Sequence, residues 1–208
     1  MAVDARIIID NLISFYDFKD KVIISVGAGG GQFIEYARSA KMVYAVDNDK
    51  DALNRLNDNL IKANLDNKFT LIHSEFEDVN LVADVVLFEF CLHEMKNPKA
   101  IISQALTMAN DILIADHWTD SEWAYIVDEK GKVINSWDVL NSFEFKKVQR
   151  FDTVQRFTDY EDLYQKVKGQ GEITIKRIER YKNKDNIEIS MSYEFALIEQ
   201  EYSNFINM

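Results

Sequence analysis

The sequence has 208 residues, enough for one domain that buries roughly 70% of its unfolded surface, and we treat 1–208 as a single domain. Its net charge of −11 and pI near 4.8 argue against a nucleic-acid partner, since binding to phosphates needs clustered Lys and Arg. The single cysteine, Cys91, the short apolar runs and a start without signal-peptide features predict a cytoplasmic protein that does not associate with membranes.

The first strand leads into a loop that is rich in glycine. After a helical pattern over 4–16, the apolar run Val22–Val26 predicts a strand, and four of the seven glycines follow within 27–31. Glycine tolerates positive φ and has no side chain, so such a loop can bring backbone N–H groups close to a ligand. The segment therefore predicts a cofactor-binding loop.

An acid follows the predicted second strand. We expect a helix over 32–40, the second strand over 42–46, a helix over 50–64 and a third strand over 69–73. Asp47 comes twenty residues after Gly27, at the carboxyl end of the second strand. A carboxylate there can accept hydrogen bonds from both ribose hydroxyls of a nucleoside. The alternative is that Asp47, Asn48 or Asp49 only caps the following helix.

The alternation of strand and helix continues over the next fifty residues. A fourth strand is predicted over 83–90, a helix opened by Pro98, and a fifth strand over 111–115. Five strands separated by helices predict an α/β fold, a Rossmann-like doubly wound sheet with helices on both faces. In such a sheet ligands bind at the carboxyl edge, where the strand order reverses.

The C-terminal third of the chain is less regular. The alternation stops over about 118–152, which we interpret as an inserted segment. A helix is predicted over 158–167 with Thr158 as its cap. Two strands, over 172–181 and 187–198, predict an antiparallel C-terminal hairpin that completes seven strands.

All three histidines follow predicted strands. His73, His93 and His117 lie at or just past the ends of the third, fourth and fifth strands, so we expect them along the ligand-binding edge. Imidazole titrates near neutrality, which makes His93 and His117 candidate catalytic residues that accept a proton, although strand-end histidines are also often structural. These two histidines with Glu94 and Asp116 could hold a metal, but their spacing fixes no ligand geometry and we predict none.

The loop spacing G-x-G-x-G through Gly27, Gly29 and Gly31 resembles motif I of the class I S-adenosylmethionine (SAM) methyltransferases. The run LHEM ahead of the helix at Pro98 is similar to the same region of small-molecule members. The resemblance implies SAM as cofactor, held by Gly27, Ala28, Gly29, Gly31, Asp47, Asn48, Glu75, Phe76 and Phe90. Glu75 and Phe76 would bracket the adenine, although a solvated acidic loop explains Glu75 equally well. One departure is Ser25, where the family usually has an acid.

The favoured function is methyl transfer from SAM to a small-molecule acceptor of undetermined atom type, with the segment 118–152 shaping the acceptor pocket and a homodimer as a further possibility. The segment could equally be a helix and hairpin packed on the core. A non-catalytic SAM-binding protein is one alternative, which Ser25 favours. An NAD-dependent oxidoreductase is another, disfavoured because Gln32 holds the third glycine position of the dinucleotide fingerprint.

Overall fold

The computed structural model describes residues 5–199. The remaining residues, 1–4 and 200–208, include the first residue of the helix predicted over 4–16 and both ends of the predicted domain, and they lie outside the described residues.

Seven strands form one sheet in the order β3-β2-β1-β4-β5-β7-β6. The first five are parallel, and β7 lies antiparallel between β5 and β6. This confirms the predicted seven-stranded Rossmann-like sheet with an antiparallel C-terminal pair. The strands are β1 Val22–Val26, β2 Met42–Asp47, β3 Phe69–His73, β4 Val85–Glu89, β5 Asp111–His117, β6 Lys147–Asp159 and β7 Asp185–Glu199.

The strand order reverses between β1 and β4. The chain leaves β1 towards β2 and β3, then crosses back to place β4 on the other side of β1. The loops that follow β1 and β4 therefore leave the sheet in opposite directions, which opens a crevice at the carboxyl ends of these strands. Ligands usually bind in this crevice in doubly wound sheets. Both strands are apolar and buried almost throughout, as expected for strands covered on both faces.

Helices cover the two faces of the sheet. On one face, Ile8 and Leu12 of α1 pack with Leu163 of α6 and Ile178 of α7, and on the other, Ile102 of α3 packs near Trp137 of α5. The helices are α1 Ala5–Phe15, α2 Lys50–Ala63, α3 Pro98–Met108, α4 Glu122–Ile126, α5 Lys130–Leu140, α6 Tyr160–Val167 and α7 Glu172–Ile178. Among residues 5–199, no helix is long and apolar enough to cross a membrane.

The sixth strand is not where the sequence predicts it. Residues 172–181 form α7 and a 3-10 turn instead of a strand, and their buried residues Thr174 and Ile178 are spaced four apart, as on a helical face. The strand that pairs with β7 is β6. It begins within the segment 118–152, which the sequence leaves irregular, and ends after it. Only Gln155 and Phe157 are buried along β6, so this edge strand carries a weak alternating pattern.

Three local predictions also need correction. The helix expected over 32–40 is a 3-10 helix, Ile34–Arg38, which ends where the Ser39 hydroxyl donates to the Tyr36 carbonyl at 3.1 Å. Asp159, rather than Thr158, caps α6 by accepting from the Asp162 amide at 2.9 Å. The fifth strand runs on to His117, because the antiparallel partner β7 extends its hydrogen bonding through that residue.

Candidate active site

The glycine loop between β1 and the 3-10 helix takes a conformation that only glycine adopts easily. Gly27, Gly29 and Gly31 have φ of 70°, 52° and 77°. A Cβ at Gly27 would lie 2.5 Å from the Cys91 Cβ, and one at Gly31 would lie 2.6 Å from a methyl of Leu56. Two of these glycines thus allow close packing within the protein. Only Gly29 would meet nothing nearer than 3.7 Å, so it leaves space for a ligand.

Asp47 fastens the end of β2 to this loop. Its Oδ2 accepts from the Gly29 amide at 2.8 Å and its Oδ1 from the Asp49 amide at 2.9 Å. Asp49 caps α2, since its carboxylate accepts from two amides of the first turn, at 2.8 and 3.2 Å. The cap of α2 is therefore Asp49, and Asp47 is not the cap.

A cavity of about 520 Å³, here called the loop cavity, lies beside the glycine loop. Five of its lining residues are acidic and one is a lysine. The residues that line it are Val26, Gly27, Val46, Asp47, Asn48, Ser74, Glu75, Phe76, Glu77, Asp78, Cys91, Glu94, Met95 and Lys96. This volume and negative lining suit a cofactor-sized ligand that carries positive charge.

Five of the predicted cofactor-binding residues line the loop cavity: Gly27, Asp47, Asn48, Glu75 and Phe76. The Glu75 carboxylate accepts from the Asn48 amide nitrogen at 3.1 Å, which links the ends of β2 and β3. The Phe76 ring packs in the core, with its centroid 5.4 Å from that of Phe88, so only its backbone is placed to meet a ligand.

The other predicted residues lie elsewhere. The Ala28 side chain packs in the core with Leu56. His73 is exposed, with its Nε2 at 3.0 Å from the Asn48 carbonyl oxygen. Phe90 follows β4 with an unusual φ of 52°, and strained residues of this kind gather at functional sites.

Phe90 lines a second cavity, of about 350 Å³, here called the His117 cavity. The neighbouring residue, Cys91, lines the loop cavity, so the chain between them separates the two spaces. The residues that line the His117 cavity are Ala5, Ile8, Gln32, Phe33, Phe90, His117, Trp123, Gln155, Lys166 and Met191. Both cavities therefore border the chain just after β4.

His93 is a buried cation. Its Nδ1 lies 2.6 Å from the Asp116 carboxylate, and its Nε2 lies 3.6 Å from the carboxylates of Glu94 and Glu129. Burial opposes protonation, yet Asp116 and Glu129 together raise the pKa of His93 to about 10. An imidazolium of this kind cannot accept a proton at neutral pH.

The same cluster could also hold a metal through His93, Glu94 and Glu129, whose ligand atoms lie within 4.8 Å of one another. Such binding would require His93 to lose its proton and Glu94 to release Lys132, which it holds at 2.6 Å. The arrangement therefore fits an ion-paired histidine better than a metal centre.

His117 has the opposite electrostatic character. Burial lowers the pKa of its imidazole, and the nearby cation His93 lowers it further. Within residues 5–199, its buried Nδ1 has no hydrogen-bond partner. Its ring lies edge-on to Phe90, with centroids 5.0 Å apart. His117 is therefore a neutral imidazole beside a cavity, the state that a proton acceptor needs.

A buried carboxylate that the sequence reasoning missed lies at the end of β4. Glu89 accepts from the Ser25 hydroxyl at 2.5 Å and from the Tyr36 hydroxyl at 2.8 Å. Burial raises the pKa of Glu89 to about 7, and the nearby Asp47 charge contributes to the increase. The signal in the sequence is a single acid within an otherwise apolar strand.

The strand order, the glycine loop at the switch point and the acid that ends β2 form the arrangement that is typical of nucleoside-binding α/β domains. Residues 24–110, which run from β1 to the loop after α3, match the family described as "Methyltransferase domain". This match covers less than half of the chain. Together with the fold and the motif I spacing, it indicates a SAM-dependent methyltransferase with SAM as its cofactor.

Solved structures resemble the chain over nearly its whole length. A candidate methyltransferase from Bacillus halodurans is 16% identical, with TM-score 0.69 and coverage of 92% of this chain and 97% of that one. A candidate RNA methyltransferase from Pyrococcus horikoshii is 17% identical, with TM-score 0.57 and coverage of 96% and 83%. Magnesium protoporphyrin IX methyltransferase from Synechocystis, solved with bound S-adenosylhomocysteine, is 11% identical, with TM-score 0.56 and coverage of 92% and 80%. At these identities the likeness concerns the fold, and no curated protein sequence matches the chain.

Proposed function

We propose that this enzyme methylates a small-molecule acceptor bound in the His117 cavity. The observation that carries the proposal is the position of that cavity, one residue along the chain from the loop cavity and bordered by a neutral histidine. Its volume of about 350 Å³ lies in the range of small-molecule sites.

The loop cavity fits the cofactor. Gly29 leaves open space, Asp47 offers a carboxylate at the end of β2, and acidic residues predominate in the lining. In our proposal Asp47 holds the ribose and the residues at Glu75 and Phe76 hold the adenine. Bound there, SAM supplies a methyl group on a positively charged sulfur, already activated for transfer.

The His117 cavity provides the setting for the acceptor. Its walls include the aromatic rings of Phe33, Phe90 and Trp123, which exclude water and favour an acceptor with an apolar part. Trp123 belongs to the segment 118–152, so our proposal gives that segment a part in shaping the acceptor site. Positioning of the acceptor can supply most of the rate, because the donor needs little further activation.

His117 is the proposed proton acceptor. Its imidazole is neutral, one nitrogen is buried without a partner within residues 5–199, and the ring borders the cavity. An acceptor hydroxyl, amine or thiol loses a proton as it is methylated, and a neutral imidazole can take it. His93, held as a cation by Asp116, has a positioning part at most in this proposal.

RNA is the competing acceptor, since one of the structural neighbours carries that description. The charge of −11 is unfavourable for RNA binding, which rests on clustered cations. Among residues 5–199, one cationic side chain, Lys166, lines the His117 cavity. These features favour a small neutral or cationic molecule over a polyanion.

The test is transfer of label from methyl-labelled SAM in two parallel incubations, one with a fractionated metabolite extract and one with total RNA. We expect label in the low-molecular-weight fraction with wild-type protein and a strong reduction with His117→Gln. Label found in RNA instead would overturn the small-molecule acceptor. No transfer in either incubation, by protein that binds S-adenosylhomocysteine, would contradict catalysis and favour a binding protein.

A further inference from the structure

Glu89 is a buried carboxylate that forms no ion pair with any cation in the described part of the chain. It is 8% exposed and ends β4 directly before Phe90. Its two hydrogen bonds, from Ser25 and Tyr36, both fall on Oε1 and come from neutral hydroxyl groups. No ion pair within residues 5–199 involves Glu89. A charged carboxylate in this setting lacks the partner that normally offsets its burial.

The position of Glu89 ties this carboxylate to the glycine loop. Strands β1 and β4 are parallel neighbours in which Ser25 lies opposite Leu87 and Val26 opposite Phe88. The next residues along the chain are therefore Gly27, directly after β1, and Glu89, the last residue of β4. A Cβ at Gly27 would lie 3.4 Å from the Glu89 carbonyl oxygen, which confirms how closely the two backbones approach.

Ser25 is the place where the resembling family usually carries its acid. The Glu89 Oε1 lies 2.5 Å from the Ser25 hydroxyl oxygen. The negative charge that is missing from β1 is thus supplied from β4, at almost the same point in space. Tyr36, from the 3-10 helix after the loop, fixes the same oxygen from the other side at 2.8 Å.

We propose that Glu89 binds the α-ammonium group of the amino-acid end of SAM, with Ser25 and Tyr36 positioning its carboxylate. In this proposal Oε2, which neither hydroxyl uses, accepts from the ammonium, and the ligand provides the positive charge that Glu89 lacks among residues 5–199. The inference rests on the assignment of SAM as cofactor. In this proposal the acid that the resembling family carries at Ser25 is replaced by one on the neighbouring strand, so Ser25 no longer favours a non-catalytic SAM-binding protein.

The test compares two ligands that differ only in the ammonium group. These are S-adenosylhomocysteine and its deaminated analogue, in which hydrogen replaces the α-amino group, each titrated calorimetrically into wild type and Glu89→Gln. We expect the substitution to weaken S-adenosylhomocysteine roughly 10- to 150-fold, the range for loss of a charged hydrogen-bond partner. The analogue should bind both proteins within about twofold, because it offers no cation to lose.

A second variant distinguishes a loss of ligand binding from a folding defect. Ser25→Asp combined with Glu89→Gln returns the carboxylate to β1, and we expect it to recover most of the lost affinity for S-adenosylhomocysteine. Equal weakening of both ligands by Glu89→Gln, or no weakening of either, would overturn the role of Glu89. Failure of the wild type to bind S-adenosylhomocysteine would instead contradict the cofactor assignment, so the two failures are distinguishable.

Discussion

Because Glu89 is buried, the folding stability of the ligand-free protein should depend on pH. The substitution Glu89→Gln should remove this contribution. The pKa of Glu89 is raised to about 7 from its ordinary value of 4.5, chiefly by burial. At a pH between these two values, the Glu89 carboxyl group is deprotonated in the unfolded chain but still protonated in the folded chain. Folding stability therefore falls as pH rises through this window, and the loss is complete above the folded pKa.

The size of the effect follows from the two values. A pKa raised from 4.5 to about 7 corresponds to about 3 kcal/mol of unfolding free energy, of which about 2.5 kcal/mol falls between about pH 5 and pH 8.5. Glu89→Gln keeps the shape and an oxygen for Ser25 and Tyr36 but carries no charge. We expect its stability relative to wild type to increase by about that amount between the two pH values.

Urea unfolding of both proteins at each pH measures this difference directly. His93 also titrates with a raised pKa, but it is common to both proteins and cancels in the comparison. Glu188→Gln is a suitable control, because that carboxylate is 59% exposed and should show little change. A difference between wild type and Glu89→Gln that stays constant with pH would refute the proposed burial of an unpaired charge.

Four further predictions concern the loop and the histidines. Asp47→Ala should weaken S-adenosylhomocysteine binding by about 1.5 to 3 kcal/mol in calorimetry, because a charged hydrogen-bond acceptor at the end of β2 is lost. Gly27→Ala should lower the unfolding free energy by about 1 to 3 kcal/mol more than Gly29→Ala in urea. A Cβ at Gly27 would lie 2.5 Å from the Cys91 Cβ, whereas one at Gly29 would meet nothing nearer than 3.7 Å. His117→Gln should lower the transfer rate by about 10²- to 10⁴-fold without changing S-adenosylhomocysteine affinity, because the proton acceptor is lost. His93→Gln should lower the unfolding free energy by about 3 to 5 kcal/mol in urea, because the buried carboxylate of Asp116 loses its charged partner.

Each of these predictions has an outcome that counts against it, which for His93→Gln is a stability equal to that of the wild type. Unchanged affinity in Asp47→Ala would show that the ribose binds elsewhere. Equal stability of the two alanine variants at Gly27 and Gly29 would show that the loop does not pack against Cys91 as described. A rate unchanged by His117→Gln would remove that residue as proton acceptor and leave positioning as the source of catalysis.

The sequence predicts the parallel half of the sheet well because its signals are local. The strands β1 to β5 are short apolar runs between helices, and the glycines after Val26 mark the loop without reference to the rest of the chain. Asp47 can be selected as a candidate from its distance along the chain to that loop. Such features depend on residues close together in the sequence, which is why they could be predicted in advance.

The sixth strand was harder to predict because tertiary packing decides it. The β-branched residues of 172–178 favour a strand, yet the buried positions Thr174 and Ile178 are spaced as on a helix. The strand β6 lies at the sheet edge with mostly exposed side chains, so its alternation is faint. Its pairing with β7 spans a long stretch of chain, which no local pattern reveals.

The displaced acid could not be recognised from sequence for a related reason. Glu89 and Ser25 are 64 residues apart, and only the register between β1 and β4 brings their oxygens within 2.5 Å. The contrast between His93 and His117 also depends on three-dimensional neighbours. Asp116 lies in the sequence next to His117, yet its carboxylate contacts the His93 ring at 2.6 Å.

The central claim is that the crevice between β1 and β4 binds SAM, and a crystal structure with S-adenosylhomocysteine tests it most directly. The account predicts the ligand in the loop cavity, with its ribose hydroxyls at Asp47 and its ammonium group at Glu89. An S-adenosylhomocysteine molecule bound away from these two carboxylates, or a loop cavity filled by the protein's own side chains under saturating ligand, would contradict it.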